Sequence, residues 1–205
     1  MIKSGMKEGV ILFDIDRTVL DTETSGKKYK QKLAECCRVG KKDIEESVQK
    51  YRLSLRSSTD FDPNELLKEI GERYQVSRDN LEQVLFNRDN FVLFAESDSV
   101  LKALSERFIL GTFSEGAEAW QKKKLELTGI NEFFDTEYMI IKRRKMNPES
   151  IKEIPFGAMV VDDKKTVIGT LKQLRPDLKL VWINRDSSDR IDGVRNIKSL
   201  TELVE

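Results

Sequence analysis

The feature that most constrains the fold of this chain is a set of short apolar runs separated by helical patterns. Runs of about five apolar residues bounded by turn or helix-start residues are typical of buried parallel strands. Four such runs lie at 9–13, 108–113, 157–161 and 178–183, and a weaker fifth lies at 138–141. Helical patterns lie between them at 98–106, 117–127 and 165–174. This alternation predicts βαβ units, and therefore an α/β fold with a three-layer, Rossmann-like parallel sheet.

Residues 22–94 interrupt this alternation, because they show helical periodicity and no convincing strand. Helices are predicted at 23–38, 42–55, 63–75 and 78–87. Asp62 and Pro63 suit the cap and first turn of the third helix, and Ser77 suits the cap of the fourth. We therefore expect two domains, an α/β core formed by 1–21 and 95–205 and an all-helical domain at 22–94.

The composition excludes several kinds of site. The chain has no histidine, so Ser-His-Asp triads and histidine-ligated zinc or iron sites are excluded. Its 36 Lys+Arg balance 36 Asp+Glu, so no net charge attracts the molecule to nucleic acid or to an anionic membrane. The only two cysteines, Cys36 and Cys37, are adjacent, which favours a reducing compartment over a disulfide framework. No run approaches the ~20 apolar residues that span a bilayer, and the start has no hydrophobic signal region. We expect a cytoplasmic protein without a membrane or nucleic-acid partner.

Polar residues follow the predicted strands at their carboxyl ends, which is where open α/β sheets bind ligands. These residues are Asp14, Asp16 and Thr18, then Ser114, Glu115 and Gly116, then Lys145 beyond the weak strand, and finally Asp162 and Asp163. Clustered carboxylates repel each other and are costly to bury, so a hard divalent ion such as Mg²⁺ is the expected companion. A lysine and a hydroxyl beside such a site are suited to hold the oxygens of a phosphoryl group.

The order of these motifs resembles that of the haloacid dehalogenase-like (HAD) phosphohydrolases. The resemblance consists of a strand followed by Asp14-x-Asp16-x-Thr18, a second strand ending in Ser114, Lys145 with Pro148 three residues on, and a strand ending in Asp162-Asp163. It covers nearly the whole chain and is strongest for members with a helical cap inserted after the first strand, such as phosphoglycolate phosphatase-like enzymes. Each motif is weak alone, but the four in this order are specific. The resemblance implies an HAD-like core with residues 22–94 as the cap.

The resemblance also implies roles for individual residues. Asp14 would be the nucleophile that forms an aspartyl-phosphate, and Asp16 would protonate the leaving oxygen and then deprotonate water. The residues implied to hold the substrate are Thr18, Ser114, Glu115, Gly116 and Lys145, the last of which would balance the charge of nucleophile and phosphoryl group. Mg²⁺ would bind Asp14, the backbone carbonyl of Asp16 and Asp162, with Asp163 as a further ligand or a support.

Several of these residues have simpler interpretations. Asp14 and Ser114 could each cap a following helix. Thr112 is an alternative hydroxyl to Ser114, although strand alternation would aim it into the core. Any cation of the run 142–145 could reach the site, and as a patch this run is predicted to be a solvated loop, with contact to a large anionic substrate or nucleic acid as the alternative. The lysine runs at 27–28 and 122–124 are also predicted to be solvated helix faces.

Arg17 departs from the family pattern, which usually has glycine or another small residue between Asp16 and Thr18. Its long side chain could crowd the phosphate loop and reduce activity, could be turned outward by the backbone, or could supply a cation on the leaving-group side. The sequence leaves these alternatives open.

Asp16 favours phosphate-ester cleavage, because a dehalogenase needs no acid–base carboxylate two residues after its nucleophile. A two-component receiver domain is rejected. The chain of a receiver domain opens with an adjacent acidic pair, whereas in this chain the adjacent pair, Asp162-Asp163, comes last. The predicted function is a Mg²⁺-dependent phosphatase that hydrolyses a small phosphorylated metabolite through an aspartyl-phosphate, with a phosphomutase as a near neighbour. The alternative, suggested by Arg17 and the run 142–145, is a catalytically weak HAD-like protein that binds a phosphate ligand or a partner protein. Candidate specificity residues near the cap hinges are Thr22, Glu23, Lys27 and Phe94.

Overall fold

A computed structural model describes residues 7–204. Six strands of this part form one parallel sheet in the order β3-β2-β1-β4-β5-β6. Their bounds are β1 Val10–Phe13, β2 Ile109–Glu115, β3 Met139–Lys142, β4 Met159–Asp162, β5 Lys179–Ile183 and β6 Arg195–Ile197. The α/β fold with a parallel sheet is therefore confirmed, and the strand order reverses direction at β1, in the centre of the sheet.

Helices cover both faces of this sheet, as alternating side chains of the central strand show. Ile11 and Phe13 belong to one buried cluster, which also contains Leu101, Leu104 and Leu125 of helices α5 (Ser97–Arg107) and α6 (Glu118–Thr128). Leu12 belongs to a second cluster, which also contains Ile151, Val167 and Leu171 of helices α7 (Pro148–Lys152) and α8 (Lys165–Leu174). Because successive residues of a strand point to opposite faces, the central strand is buried on both sides and the molecule has three layers here.

Four helices lie between β1 and α5, and they have a hydrophobic core of their own. They are α1 Thr22–Cys37, α2 Lys41–Ser54, α3 Pro63–Tyr74 and α4 Arg78–Leu85. Their buried residues, among them Leu33, Ile44, Leu67 and Leu81, form a cluster separate from the two that flank the sheet. We call residues 22–94 the helical segment. The chain enters and leaves it side by side, since the Asp21 N–H donates to the Val92 carbonyl at 2.8 Å.

The predicted helix starts in the helical segment agree with their capping contacts. Asp62 accepts a hydrogen bond from the Asn64 N–H at 2.9 Å, with Pro63 at the first helical position. Ser77 accepts one from the Asn80 N–H at 3.4 Å. A side-chain acceptor satisfies an N–H group that has no partner within the helix, so these residues define where α3 and α4 begin.

Two short elements were not predicted. Strand β6 is three residues long and contains Arg195 and Asn196, so it has no apolar run that could be recognised in the sequence. It is a strand because it pairs with β5. Helix α7 is five residues long, too short for helical periodicity to be visible, although Pro148 occupies its first turn.

Within residues 7–204, no helix combines the length and the apolar character that crossing a membrane requires.

Candidate functional site

The carboxyl ends of the central strands bring four of the predicted residues together. Asp14 directly follows β1, and its N–H donates to the Val161 carbonyl of β4 at 2.9 Å. Ser114 lies near the end of β2 and Asp162 ends β4. Lys145 lies in the loop after β3. The parallel register of the sheet aligns these strand ends, so residues up to 148 positions apart in sequence meet at one edge.

Lys145 forms the centre of this group. Its side chain is fully buried, and its Nζ lies 2.7 Å from Asp14 Oδ1, 2.5 Å from Asp162 Oδ2 and 3.2 Å from the Phe113 carbonyl. Burial alone lowers the pKa of a lysine, but the two carboxylates outweigh it and raise the pKa of Lys145 above its ordinary value. Lys145 is therefore a permanent cation. Of the four cations in the run 142–145, it is the one that contacts Asp14.

Asp162 and Asp163 complete an acidic cluster with Asp14. Carboxylate oxygens of the three residues lie within 4.8 Å of one another. Burial raises the pKa of Asp162 above its ordinary value, with Lys145 opposing that rise, and burial together with nearby Asp14 raises the pKa of Asp163 to about 6. Both shifts mean that the charged form of these carboxylates is disfavoured, because burial removes their hydration and Asp14 repels them.

One oxygen of this cluster has no partner among the described residues. Asp163 Oδ1 is buried without a hydrogen bond, while its Oδ2 accepts from Arg17 Nε at 3.2 Å. A buried carboxylate oxygen without a donor is costly, and a hard cation is the companion that oxygen ligands favour. The donor set of Asp14, Asp162 and Asp163 therefore fits a divalent ion such as Mg²⁺.

Asp16 lies in different surroundings from Asp14. Its carboxylate accepts from Lys124 Nζ at 2.6 and 2.5 Å, from Thr22 Oγ1 at 2.9 Å and from Gln121 Nε2 at 3.0 Å. Burial tends to raise the pKa of Asp16, but the charge and hydrogen bond of Lys124, with the bonds from Gln121 and Thr22, hold the pKa below its ordinary value. Two carboxylates two residues apart are thus held by different lysines.

Lys124 is a site residue that the sequence interpretation missed. The prediction of a solvated face at 122–124 is wrong for Lys124, which is 5% exposed. Lys122 and Lys123 do lie at the surface, paired with Glu118 and Glu126. Helical spacing was the available signal: Gln121 and Lys124, three residues apart, share the face of α6 that reaches Asp16.

The prediction of a solvated loop at 142–145 is wrong for Lys145 only, because the side chains of Lys142, Arg143 and Arg144 are 42%, 51% and 41% exposed. Lys142 pairs with Glu153 at 2.9 Å, Arg144 forms two contacts with Asp60 at 2.9 and 3.0 Å, and Lys145 is buried. The alternative, a patch for a large anion or nucleic acid, stays a prediction.

Arg17 adopts a left-handed backbone conformation with φ 63°. Its guanidinium pairs with Asp163 at 3.2 Å and with Asp186 at 2.6 Å. The side chain is half exposed and does not line the larger cavity beside Asp16. The left-handed conformation explains why a glycine suits this position. The guanidinium turns away from the larger cavity but contacts Asp163 at the edge of the acidic cluster, so none of the three alternatives describes it completely.

The remaining predicted residues differ in burial and in the contacts that they make. Thr18 is fully buried, its Oγ1 has no partner among the described residues, and its carbonyl accepts from Arg185. Ser114 is buried, as is Thr112 on the same face of β2. The Glu115 carboxylate pairs with Lys164 at 3.0 Å, and the Gly116 N–H donates to the Lys142 carbonyl at 2.9 Å. Roles for these residues in holding a substrate remain predictions.

A cavity of about 400 Å³ lies between this edge of the sheet and the helical segment. Asp16, Gln121 and Lys124 line it on the sheet side, and Thr22 is the candidate specificity residue in its wall. Glu23 and Phe94 instead line a second cavity of about 280 Å³, and Lys27 pairs with Glu23 at the surface. A volume of this size suits a small-molecule ligand.

With this fold and site, residues 11–155 match the family of haloacid dehalogenase-like hydrolases, and the chain belongs to that family. The HAD-like fold is confirmed by solved structures that match nearly end to end. A HAD phosphatase from Thermococcus onnurineus is 22% identical, with 97% of this chain and 96% of that chain covered and a TM-score of 0.61. The HAD-family protein YfnB from Bacillus subtilis, bound to magnesium, is 18% identical over 96% and 97%, with a TM-score of 0.64. A haloacid dehalogenase-like protein from Burkholderia xenovorans LB400 is 17% identical over 97% and 95%, with a TM-score of 0.72.

Dehalogenases are also among the structures of this fold that match. No curated protein matches the sequence of this chain significantly. At these identities the likeness to solved structures shows the fold, and the reaction has to be argued from the residues of the site.

Proposed function

We propose that the protein is a Mg²⁺-dependent phosphatase that hydrolyses a small phosphorylated substrate through an aspartyl-phosphate at Asp14. The observation that carries the proposal is the contrast between Asp14 and Asp16. Asp14 lies in the buried cluster of cation and carboxylates, whereas Asp16 lines the cavity and is held by three donors. A phosphate ester needs a proton for its leaving oxygen, and a carbon–halogen bond does not, so a positioned second carboxylate favours phosphoryl transfer.

The same contrast separates the roles of the two carboxylates. Asp14 Oδ attacks phosphorus, the bond from phosphorus to the ester oxygen breaks, and Asp16 gives a proton to that oxygen. Because Lys124 holds the pKa of Asp16 below its ordinary value, the resting carboxylate is ionised, and Asp16 acts in the small fraction that has first taken up a proton from solvent. Water then attacks phosphorus, the bond to Asp14 breaks, and Asp16 takes the proton of the water. Asp14, Asp162, Asp163 and the Asp16 carbonyl would hold Mg²⁺, whose positive charge offsets the negative charge of the phosphoryl oxygens.

Two lysines support these roles. Lys145 orients Asp14 through their contact, and its cation lies where a phosphoryl group beside Asp14 would add negative charge. Lys124 is a positioning residue, because its ammonium contacts both oxygens of Asp16 and fixes the direction of that carboxylate. Thr18 and Ser114 are the proposed hydroxyls for the phosphoryl oxygens.

We assign the helical segment 22–94 the role of a cap domain on the core 1–21 and 95–205. Its separate hydrophobic core supports this division, as does the pairing of its two connections at Asp21 and Val92. A cap that covers the cavity excludes bulk water from the aspartyl-phosphate and selects the leaving group.

The proposal is tested by phosphate release from acetyl phosphate and p-nitrophenyl phosphate, with Mg²⁺ and with excess chelator. We expect turnover that requires Mg²⁺ and is abolished in Asp14→Asn, with Asp43→Asn, at a helix start in the helical segment, as the matched control. Halide release from 2-chloropropionate is measured in parallel, and none is expected. Halide release without phosphate release would identify a dehalogenase, and failure to release either product would contradict the enzyme assignment.

A further inference from the structure

The side chains that line the cavity beside Asp16 indicate the class of substrate, because the residue that protonates the leaving oxygen must face the leaving group. Asp16 lines the cavity of about 400 Å³, whereas Asp14 is buried behind it. If the proposed function holds, the cavity is the chamber for the alcohol part of the phosphate ester. Its wall should therefore match the chemistry of that alcohol.

Four aromatic rings lie in this wall. Tyr29, Phe61, Phe91 and Trp120 all line the cavity, and all four are neither fully buried nor fully exposed. They come from the helical segment and from α6, so both sides of the cavity contribute. Phe91 and Trp120 pack edge to face with ring centres 5.7 Å apart. Partly exposed rings in one small cavity favour a planar, apolar ligand group, since rings prefer offset or edge-to-face contact with another ring.

Several polar side chains of the wall bind other parts of the protein. Thr22 Oγ1 and Gln121 Nε2 donate to Asp16, Ser25 Oγ donates to the Asp21 carbonyl, and Thr59 Oγ1 contacts Arg144. Gln121 Oε1 has no partner among the described residues, and Arg52 also lines the cavity, so the wall offers a ligand a few polar contacts beside its rings. A leaving group that combines a flat ring with a few polar atoms fits this wall better than one that carries hydroxyl groups throughout.

A guanidinium group extends the aromatic surface. Arg52 lines the cavity, with its Cζ 5.9 Å from the centre of the Phe61 ring. Planar guanidinium groups stack on aromatic faces, so Arg52 and Phe61 together offer a surface on which a flat ring can lie.

From these contacts we infer that the substrates are phosphate monoesters whose alcohol carries a planar aromatic ring. This inference rests on the proposed function and adds the substrate class to it.

The test compares pairs of esters that differ in the ring and not in the reacting alcohol. Benzyl phosphate is compared with ethyl phosphate, and adenosine and uridine 5′-monophosphates with ribose 5-phosphate, all with Mg²⁺ and the full chain. Both esters of a pair release a primary alcohol, so their intrinsic reactivities are similar. The ratio of their kcat/KM values therefore measures the contribution of the ring. We expect the ring to raise kcat/KM at least tenfold in at least one pair, mainly through a lower KM.

Substitutions in the wall test whether the rings cause this preference. Trp120→Leu and Phe61→Leu should each reduce the ratio of kcat/KM for the ring-bearing ester to that for its partner, by about fivefold. Two variants are used because Trp120 also packs against Phe86 at 6.0 Å and its loss could affect folding. Phe156→Leu, at a side chain that is 90% exposed and outside the cavity, is the matched control and should leave the ratio unchanged.

The outcomes separate this inference from the proposed function. Turnover of acetyl phosphate with no preference for the ring in either pair, or an unchanged ratio in both wall variants, would overturn the substrate class and leave the phosphatase in place. No turnover of acetyl phosphate or of any ester would overturn the proposed function itself.

Discussion

At the scale of single residues, the site depends on which lysine holds which carboxylate. Asp14 is bound by Lys145, which comes from the loop after β3, and Asp16 by Lys124 from α6. Lys145 and Asp14 are both buried, so their contact is screened far less than a surface ion pair, whereas the Asp16 side chain that contacts Lys124 is 32% exposed. Substitution of either lysine should therefore affect a different step of the reaction.

Lys124→Met should lower kcat/KM for an alkyl phosphate such as ethyl phosphate by about tenfold or more, because a misdirected Asp16 transfers the proton less well. The loss should be much smaller for acetyl phosphate, whose leaving group needs little protonation. Steady-state kinetics on both substrates provide the measurement, and Lys124→Arg should recover part of the activity on ethyl phosphate. Equal losses on both substrates would show that Lys124 has a structural role only.

Arg17→Gly should strengthen Mg²⁺ binding severalfold, because Arg17 Nε competes with a cation for the Asp163 carboxylate. The free energy of unfolding should change by no more than about 1 kcal/mol, since relief of the left-handed conformation offsets the loss of two half-exposed ion pairs. Titration calorimetry with Mg²⁺ measures the first quantity and thermal unfolding the second. Asp186→Asn removes the other contact of Arg17 and is the control, and Mg²⁺ affinity that is equal in Arg17→Gly and the unaltered protein would contradict the competition.

The candidate site is predictable from sequence where a residue follows a strand. Asp14, Ser114 and Asp162 are found by locating β1, β2 and β4, and parallel pairing then brings them together. Lys124 is not found in this way, because it lies inside a helix and only the packing of α6 against the sheet decides which lysine of 122–124 points inward. The partners of Arg17 are equally hidden, since Asp186 lies in a loop with no periodic pattern.

At the scale of elements, the helical segment contacts the core through a turn beside the site. Asp60 lies in the short turn Ser58–Asp60 between α2 and α3, and Arg144 of the core binds its carboxylate through two contacts. Arg144 is next to Lys145 in sequence, so this ion pair joins the proposed cap to the loop that supplies the buried lysine. Its strength should affect how readily the cavity is covered.

Asp60→Asn should raise KM for a bulky ester about two- to fivefold with little change in kcat, because the covered form becomes less populated. Michaelis–Menten kinetics on benzyl phosphate provide the measurement. Glu149→Gln, which removes an exposed ion pair with Lys152 away from the site, is the matched control. If KM rises equally in both variants, or in neither, the contact does not contribute to closure.

Most elements of the fold are predictable because they are long enough to show a period. Strand β1 and helix α8 have clear boundaries in the sequence, and Asp62 and Ser77 mark helix starts by their own chemistry. Strand β6 and helix α7 are not predictable in this way, because three and five residues are too few to show a hydrophobic period. Contacts with neighbouring elements stabilise both of them.

At the scale of the whole molecule, the chain combines a parallel sheet with a helical segment that has its own core. In the proposed mechanism the strand ends supply the reacting groups, and the helical segment supplies most of the aromatic rings of the cavity wall. The account therefore assigns the chemistry to the sheet edge and the choice of substrate to the helical segment. Dehalogenases and a phosphatase are among the matching structures of this fold, so the reaction depends on the residues at the sheet edge.

The central claim is an aspartyl-phosphate at Asp14, and trapping this intermediate tests it most directly. In Asp16→Asn, acetyl phosphate should still phosphorylate Asp14, because its leaving group needs little protonation, while hydrolysis should be slow without the base. Borohydride reduction followed by peptide mass spectrometry should then find homoserine at position 14, only when both Mg²⁺ and acetyl phosphate were present. Homoserine at another aspartate, or none at position 14 under these conditions, would contradict the account.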